Sequence, residues 1–497
     1  MTTIDVHGTG PVVKTRAYPG TKLGAGLLTA LVVGSMIGSG VFSFPQNMAA
    51  GAGAAAITIG WLITGIGMIA LALVFQGLAV RKPDLDSGPY AYARAGFGDF
   101  VGFNSAWGYW LSAWLGNVSY AVILFSALSY FVPAFGDGNT WPAIVGASAV
   151  LWLIHTLILS GVREAAFANA LVTIAKIAPV LLFLGLVAAA FNWAVFNGTA
   201  VPAAATPAAG AAPAALGGLF DQVKSTMLVT LWAFIGIEGA SVVSARAAKR
   251  SDVGVATVSG LVICLLLYMG VSLFSLGIMS QTDLAALKNP SMAGVLEKVA
   301  GPWGAGLINA AVVVSVLGAF LSWTLLAAEV PFVAAKDGIM PRLLTAQSAK
   351  QSPVMSLWVT NGLVQMFLIL TYFYSATYNA LFTIASAAIM VPYVLSGAYA
   401  LKIALSGESY GSGEGRTRDI VIGLIATIYG LWLVYAAGPK YLFLCAMLYA
   451  VGIAVYLWAR TERSEPLFRG IEGLLAAALG LAGIAAAYLL WTGGLTI

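Results

Sequence analysis

Residues 31–47 read LVVGSMIGSGVFSFPQN. An apolar helix runs into Gly38-Ser39-Gly40, and a second apolar turn restarts at Val41. Pro45 lies just inside that restart, where a missing backbone N–H costs least. The stretch sits in the first of many membrane-length apolar segments. Inside lipid every backbone N–H and C=O needs a partner. A Gly-Ser-Gly break at that depth is therefore expected where it faces protein, water or a ligand. It reads either as a broken helix whose freed backbone groups bind something polar, or as a small-residue packing notch between helices. A second break on a later span favours the first reading.

Of the 497 residues, 60% are hydrophobic and 9% charged. That composition predicts an all-α polytopic membrane protein and excludes an ordinary soluble domain. The net charge of +5 does not point to nucleic acid, because the Lys and Arg lie in short loops between apolar spans. Cys264 and Cys445 both fall within spans and make neither a disulfide framework nor a metal cluster. The first apolar stretch is too long for a signal h-region, so no cleaved signal peptide is read.

Thirteen spans are expected, at 23–50, 55–80, 97–132, 141–160, 166–192, 221–245, 254–279, 303–334, 354–374, 378–403, 419–437, 441–459 and 468–492. The third and eighth exceed the roughly twenty residues that a crossing needs, so they tilt or project. With the N-terminus inside, 19 of the 24 basic residues fall in inner segments, among them Arg81, Lys82, Arg94, Lys336, Lys402, Arg460 and Arg463. The outer loops keep only Lys288, Lys298 and Lys440. The positive-inside rule then puts the N-terminus in the cytoplasm and, after thirteen spans, the C-terminus outside. The organisation read from this is a tail at 1–21, five spans over 22–192, an Ala/Pro/Gly-rich external linker at 193–220, and five spans over 221–403. Residues 404–497 add a mobile internal loop at 404–418 and three further spans.

Span six carries the second break. In MLVTLWAFIGIEGASVVSARAAKR (227–250), Gly236 and Gly239 flank Glu238 near mid-membrane. Each glycine costs a helix about 1 kcal/mol relative to Ala, and a buried carboxyl costs more unless it faces a wet or protein-lined cavity. The other reading of Glu238 is a protonated acid satisfied by a neighbour. Interrupted helices in the first and sixth places point to two inverted five-helix repeats. At each break the N–H groups of the restarting half favour an anion, while carbonyls of the preceding half favour a cation. A site offering both suits the carboxylate and ammonium of a free α-amino acid.

GSMIGSGVFSFPQN (34–47), LWAFIGIEGAS (231–241) and WTLLAAEVPFVAAKDGIMP (323–341) resemble the amino acid–polyamine–organocation superfamily. Within it the chain is similar to bacterial basic amino acid/polyamine antiporters, closest to the arginine–ornithine exchangers. The likeness runs from about residue 22 to 460. It implies alternating access, no cofactor, and arginine, ornithine or lysine as substrates in a bacterial inner membrane. It implies that Ser39 and Gly40 give N–H groups to the substrate carboxylate. Carbonyls of Met36, Trp232 and Ile235 would take the ammonium. Trp323 would stack on the cationic side chain, which is sound physics because Trp is the best cation–π face. Ala113 and Asn117, in SAWLGN, match positions lining the side-chain end. Trp232 matches an aromatic gate and Glu238 a gating acid. Lys176, mid-span in IAKIAPV, matches a lysine standing in for sodium beside the broken first span. Glu329 is read as an internal ion-pair partner or part of an inner gate. Relatives dimerise through spans just before the last, which implies a homodimer. The chain departs from agmatine exchangers at Ser35, where they carry Asn, and at Tyr120, where they carry Met.

Bland readings accompany these picks. Most of the 14 Trp must pack or anchor at the interface, and Asn117 could be a plain interhelical hydrogen bond. His155 reads as a packed histidine. An enzyme is disfavoured, since no nucleophile–base set is present; a channel is disfavoured, since no charge ring or carbonyl filter stands out. The alternatives to exchange are a proton-coupled or uniport permease for lysine or arginine, and an exchanger of a basic amino acid for its decarboxylated polyamine.

Overall fold

The computed structural model describes residues 24–85, 88–160, 165–198, 216–238, 250–411 and 414–495. The N-terminal tail, most of the 193–220 linker, the side chain of Ser35 and the restart of span six beyond Glu238 lie outside the described residues. Span one is α1 (Ala25–Met36), a 3₁₀ turn at Gly40–Ser43 and α2 (Phe44–Ala49). Spans two to five are α3 (Ala54–Arg81), α5 (Asp99–Leu128), α6 (Trp141–Leu159) and α7 (Ala165–Ala189), with α4 (Pro89–Phe97) in the loop after α3. One turn, α8 (Trp193–Phe196), follows, and α9 (Leu219–Phe234) begins span six. Span seven is α10 (Arg250–Ser275); α11 (Gln281–Ala285) and α12 (Ser291–Ala300) form the next connection. Then come α13 (Pro302–Lys336), α14 (Val354–Tyr374), α15 (Tyr378–Ser406), α16 (Arg416–Glu462) and α17 (Glu472–Trp491).

Helix occupies every expected span. Nine helices among the described residues are long and apolar enough to cross a membrane unaided. The remaining spans come from the broken α1–α2 pair, α7, α9 and the division of α16. That division is at Gly438, whose φ of 73° and ψ of 169° turn the chain just before Pro439. Span one departs from a plain helix as expected: Ile37 is extended (ψ 96°), which ends α1 at Met36.

The long helix α5 is the buried centre, and α13, α15 and α4 pack along it. An aromatic cluster fixes both broken spans to their neighbours. Phe44, from the restart of span one, meets Trp61 and Tyr268 edge-on, with ring centroids 5.2 and 5.1 Å apart. Phe234, at the end of α9, meets the same Tyr268 at 5.5 Å. Edge contacts of this kind add about 0.5–1.5 kcal/mol each beyond area burial. By contrast α17 is the least buried of the nine long apolar helices among the described residues, and Leu474, Leu481 and Ile484 face outward.

At 404–418, α15 extends to Ser406, α16 starts at Arg416, and polar contacts hold the described part between them. Arg81 pairs with Asp419 at 2.8 Å and lies 3.7 Å over the Tyr410 ring. Arg416 donates to the carbonyls of Ala404 and Leu405. Lys82 pairs with Glu408, and that hydrogen bond raises the ammonium above its ordinary lysine value. The thirteenth span is also anchored: Glu472 accepts from the N–H of Phe100 at 2.9 Å, satisfying an orphan donor at the start of α5. Asp99, beside it, accepts from Arg94 and from the buried Arg460.

Candidate functional site

At the first break the chain exposes backbone rather than side chain. The N–H groups of Gly38, Ser39 and Gly40 have no hydrogen-bond partner among the described residues. On the carbonyl side, Met36 O accepts from the Tyr268 hydroxyl at 2.9 Å and Gly38 O from Ser315 Oγ at 3.2 Å. Met36 O, expected to face a substrate ammonium, thus already holds one donor; its second lone pair remains.

At the second break α9 stops at Phe234, and Gly236 takes φ +103°, a conformation that L side chains rarely adopt. A Cβ there would come within 3.3 Å of Trp323 Cζ2, so the indole lies directly on the break. Glu238 is buried, and its two carboxyl oxygens accept from the hydroxyls of Tyr109 on α5 and Tyr393 on α15. The acid therefore ties the break to two neighbouring spans. No distance in sequence announced either tyrosine; the signal available was the rule that a buried carboxyl must find donors.

Trp232 roofs the first break. A Cβ on Gly40 would sit 3.1 Å from its Cδ1, and one on Gly116 the same distance from its Cη2. Its indole N–H donates to the Tyr378 hydroxyl at 3.2 Å, and Tyr378 meets Ser39 Oγ at 3.1 Å. Tyr120 and Phe382 flank the indole at 5.8 Å. Beyond this roof the Asn289 amide nitrogen lies within hydrogen-bond distance of Gln46, Asn47 and Asn379 side-chain oxygens. Ser291 Oγ accepts from the Gln46 N–H. The α11–α12 connection thus closes over α2 and α15.

On the other side of the breaks a cavity of about 660 Å³ runs toward the end that carries α4 and the last turns of α13. That volume is in the range of small-molecule sites. Met36, Ser39, Gly40, Trp232, Ile235, Glu238, Trp323, Lys176 and Glu329 all line it. Nine of the eleven sequence-derived candidates therefore share one wall. The other two do not reach it. From α5 the lining residues are Tyr109, Ser112, Gly116 and Tyr120. Ala113 and Asn117 stand one residue, about 100°, round the helix from Ser112 and Gly116, and both are fully buried. Asn117 Nδ2 donates to Thr324 Oγ1 at 3.3 Å, so it steadies the residue next to Trp323 from behind. His155 lies elsewhere, packed edge-on to Trp358 at 4.4 Å with Asn361 on Nδ1.

The arrangement offers an anion cradle of backbone N–H groups, carbonyls ending two half-helices, an indole face and two acids, all on one cavity. Residues 27–459 match the amino acid permease family. A Pseudomonas aeruginosa protein named "Arginine/ornithine antiporter" is 51% identical, with 96% of this chain and 98% of the relative covered. A Chlamydia pneumoniae protein named "Arginine/agmatine antiporter" is 41% identical over 97% of this chain and 99% of its own length.

Proposed function

The chain belongs to the amino acid permease family, and from that premise we propose that it is a secondary-active antiporter that exchanges arginine for ornithine by alternating access. It is a multi-pass membrane transporter and not an enzyme. The observation that carries the substrate class is the meeting of two helix breaks and the Trp323 face on one cavity. A free amino acid has a carboxylate for the N–H groups of Ser39 and Gly40 and an ammonium for the carbonyls of Trp232, Ile235 and Met36. A guanidinium or side-chain ammonium over Trp323 gains about 0.5–2 kcal/mol. Ser112 and Tyr120 join these residues on the wall, and Asn117 and Ala113 support them from behind.

The basic end of the molecule is cytoplasmic in this reading, so the cavity faces inward and the Asn289 cluster closes the outside. The membrane is the bacterial inner membrane, with the N-terminus inside and the C-terminus outside. Spans one to five (22–192) and six to ten (221–403) are two inverted repeats, joined by the linker at 193–220; the protein works as a homodimer. Glu238, with Tyr109 and Tyr393, couples the second break to α5 and α15. Replacing both tyrosines by Phe removes two donors from a buried acid, each worth about 1.5–3 kcal/mol if the acid is charged. Exchange in reconstituted vesicles is expected to fall at least about tenfold while the protein still elutes as a single folded species; unchanged exchange would contradict this role.

The outer closure gives another expectation. Asn289→Ala removes the amide donors shared by α2 and α15, which favours the outward-open state. Access of an impermeant thiol reagent to a cysteine placed at Ser43 should rise several-fold in that background. Equal labelling with and without the substitution would show that the cluster is not part of the closure.

The pair of substrates is tested by charge movement. Arginine for ornithine exchanges one positive charge for one, so a potassium-diffusion potential should leave the initial rate unchanged. A rate that follows the potential would point instead to a divalent diamine as counter-substrate. A rate that follows the pH gradient with no internal substrate would point to a proton-coupled permease.

A further inference from the structure

Among the described residues three tyrosine hydroxyls stand at the first helix break, and two of them are committed. Tyr268 donates to Met36 O at 2.9 Å. Tyr378 accepts from the Trp232 indole N–H at 3.2 Å and meets Ser39 Oγ at 3.1 Å. The third, on Tyr120 of α5, has no hydrogen-bond partner among the described residues. Tyr120 is only 6% exposed, and it lines the cavity. A buried hydroxyl without a partner is costly, so one on the wall of a site marks a place for a polar ligand atom. The ring is set against Trp232, with centroids 5.8 Å apart. Its oxygen lies 3.3 Å from where a Cβ on Gly38 would stand, so the hydroxyl faces the backbone of the break itself. What that backbone has to spare is mostly of one kind. The N–H groups of Gly38, Ser39 and Gly40 have no partner among the described residues, whereas Met36 O and Gly38 O already accept from Tyr268 and Ser315. Backbone N–H donors beside a phenol O–H suit an anion with several lone pairs.

We propose that the Tyr120 hydroxyl donates to the α-carboxylate of the bound amino acid, beside the N–H groups of Ser39 and Gly40, and so makes the site selective for basic amino acids over the amines left when that carboxylate is removed. The proposal rests on the amino-acid reading of the cavity above and deepens it by assigning the discrimination to one side chain. A carboxylate offers about four lone-pair sites, enough for the backbone donors and one hydroxyl. A decarboxylated amine strips water from the same donors and returns nothing to them, and a site built to hydrogen-bond a group rejects the analogue that lacks it. The Trp323 face gives no such choice, because both ligands present the same cationic side chain to it. Ornithine keeps its carboxylate and is accepted as counter-substrate; a diamine is not.

Tyr120→Phe tests this in the full chain in vesicles, since the ring stays against Trp232 and only the hydroxyl is lost. Agmatine is the probe: it keeps the amine and the guanidinium of arginine and lacks the carboxylate. In the variant the arginine KM should rise about tenfold, the usual scale for a hydrogen bond to a charged group. Inhibition by agmatine should stay within about twofold, so the arginine-to-agmatine preference narrows about tenfold. An unchanged arginine KM would overturn the assignment, and so would an equal loss for both ligands, which is what a purely structural tyrosine gives. A second measurement needs no variant. Argininamide, whose carboxamide carries no charge, should compete with arginine at the wild-type protein at least about tenfold more weakly than unlabelled arginine does. Equal competition would show that the carboxylate is not read, whether or not Tyr120→Phe folds. Wild-type protein that takes up no arginine at all would instead remove the transport reading itself.

Discussion

Gly236→Ala and Gly38→Leu are each expected to abolish arginine exchange, to below about one hundredth of the wild-type rate, while the protein remains in the membrane. At Gly236 the obstacle is twofold. The φ of +103° lies outside what an L residue adopts at low cost, and the new methyl would press on Trp323 at 3.3 Å. Backbone strain of this type costs about 1–3 kcal/mol, and relief would come by moving the break. A displacement of 1 Å in a positioned binding group is itself worth about a hundredfold in rate. At Gly38 even a methyl would stand 3.3 Å from the Tyr120 hydroxyl. The longer Leu side chain would fill the space beside the N–H groups of Ser39 and Gly40, which have no hydrogen-bond partner among the described residues. Gly77 is the control: nothing lies within 4 Å of a Cβ built there, so Gly77→Ala should transport normally. Near-normal exchange in Gly38→Leu would mean that the first break does not hold the substrate.

Lys176→Met is expected to lower exchange at least about fiftyfold without loss of folded protein. Lys176 is buried on α7 and lines the same cavity as Met36 and Gly38. Placing an ammonium there costs about 2.5–3.5 kcal/mol on insertion scales, so Met at the same position should fold at least as well. A loss of transport with unchanged stability therefore separates a functional charge from a structural one. Our reading is that the ammonium steadies carbonyls freed at the first break, in the place a cation would otherwise fill. Lys176→Arg keeps the charge but widens the head group and should not fully restore the rate. Wild-type exchange by Lys176→Met would sink this role.

The parts of the fold that sequence made legible were those with a strong physical signature. Twenty-residue apolar runs mark spans, and α14 at Val354–Tyr374 falls where hydropathy places it. Gly-Ser-Gly with Pro45 behind it marked the first break, and Gly236 beside Glu238 marked the second. What stayed hidden depends on rotation and on distant partners. Apolar all-round helices carry little amphipathic signal, so the phase of α5 could not be read. The SAWLGN motif pointed to Ala113 and Asn117, whereas Ser112, Gly116 and Tyr120 face the cavity. The partners of Glu238 come from positions 129 residues before and 155 after it in the chain. The polar closure at Gln46, Asn47, Asn289 and Asn379 likewise joins three segments that no local pattern connects. The short helices α4, α11 and α12 sit between spans, where hydropathy says only that the chain is in a loop.

Uptake of radiolabelled arginine into proteoliposomes, loaded with ornithine or left empty at matched pH, tests the central claim most directly. Exchange predicts uptake only into the ornithine-loaded vesicles, because the empty carrier reorients poorly and the loaded one readily. Equal uptake into empty vesicles would contradict obligatory exchange.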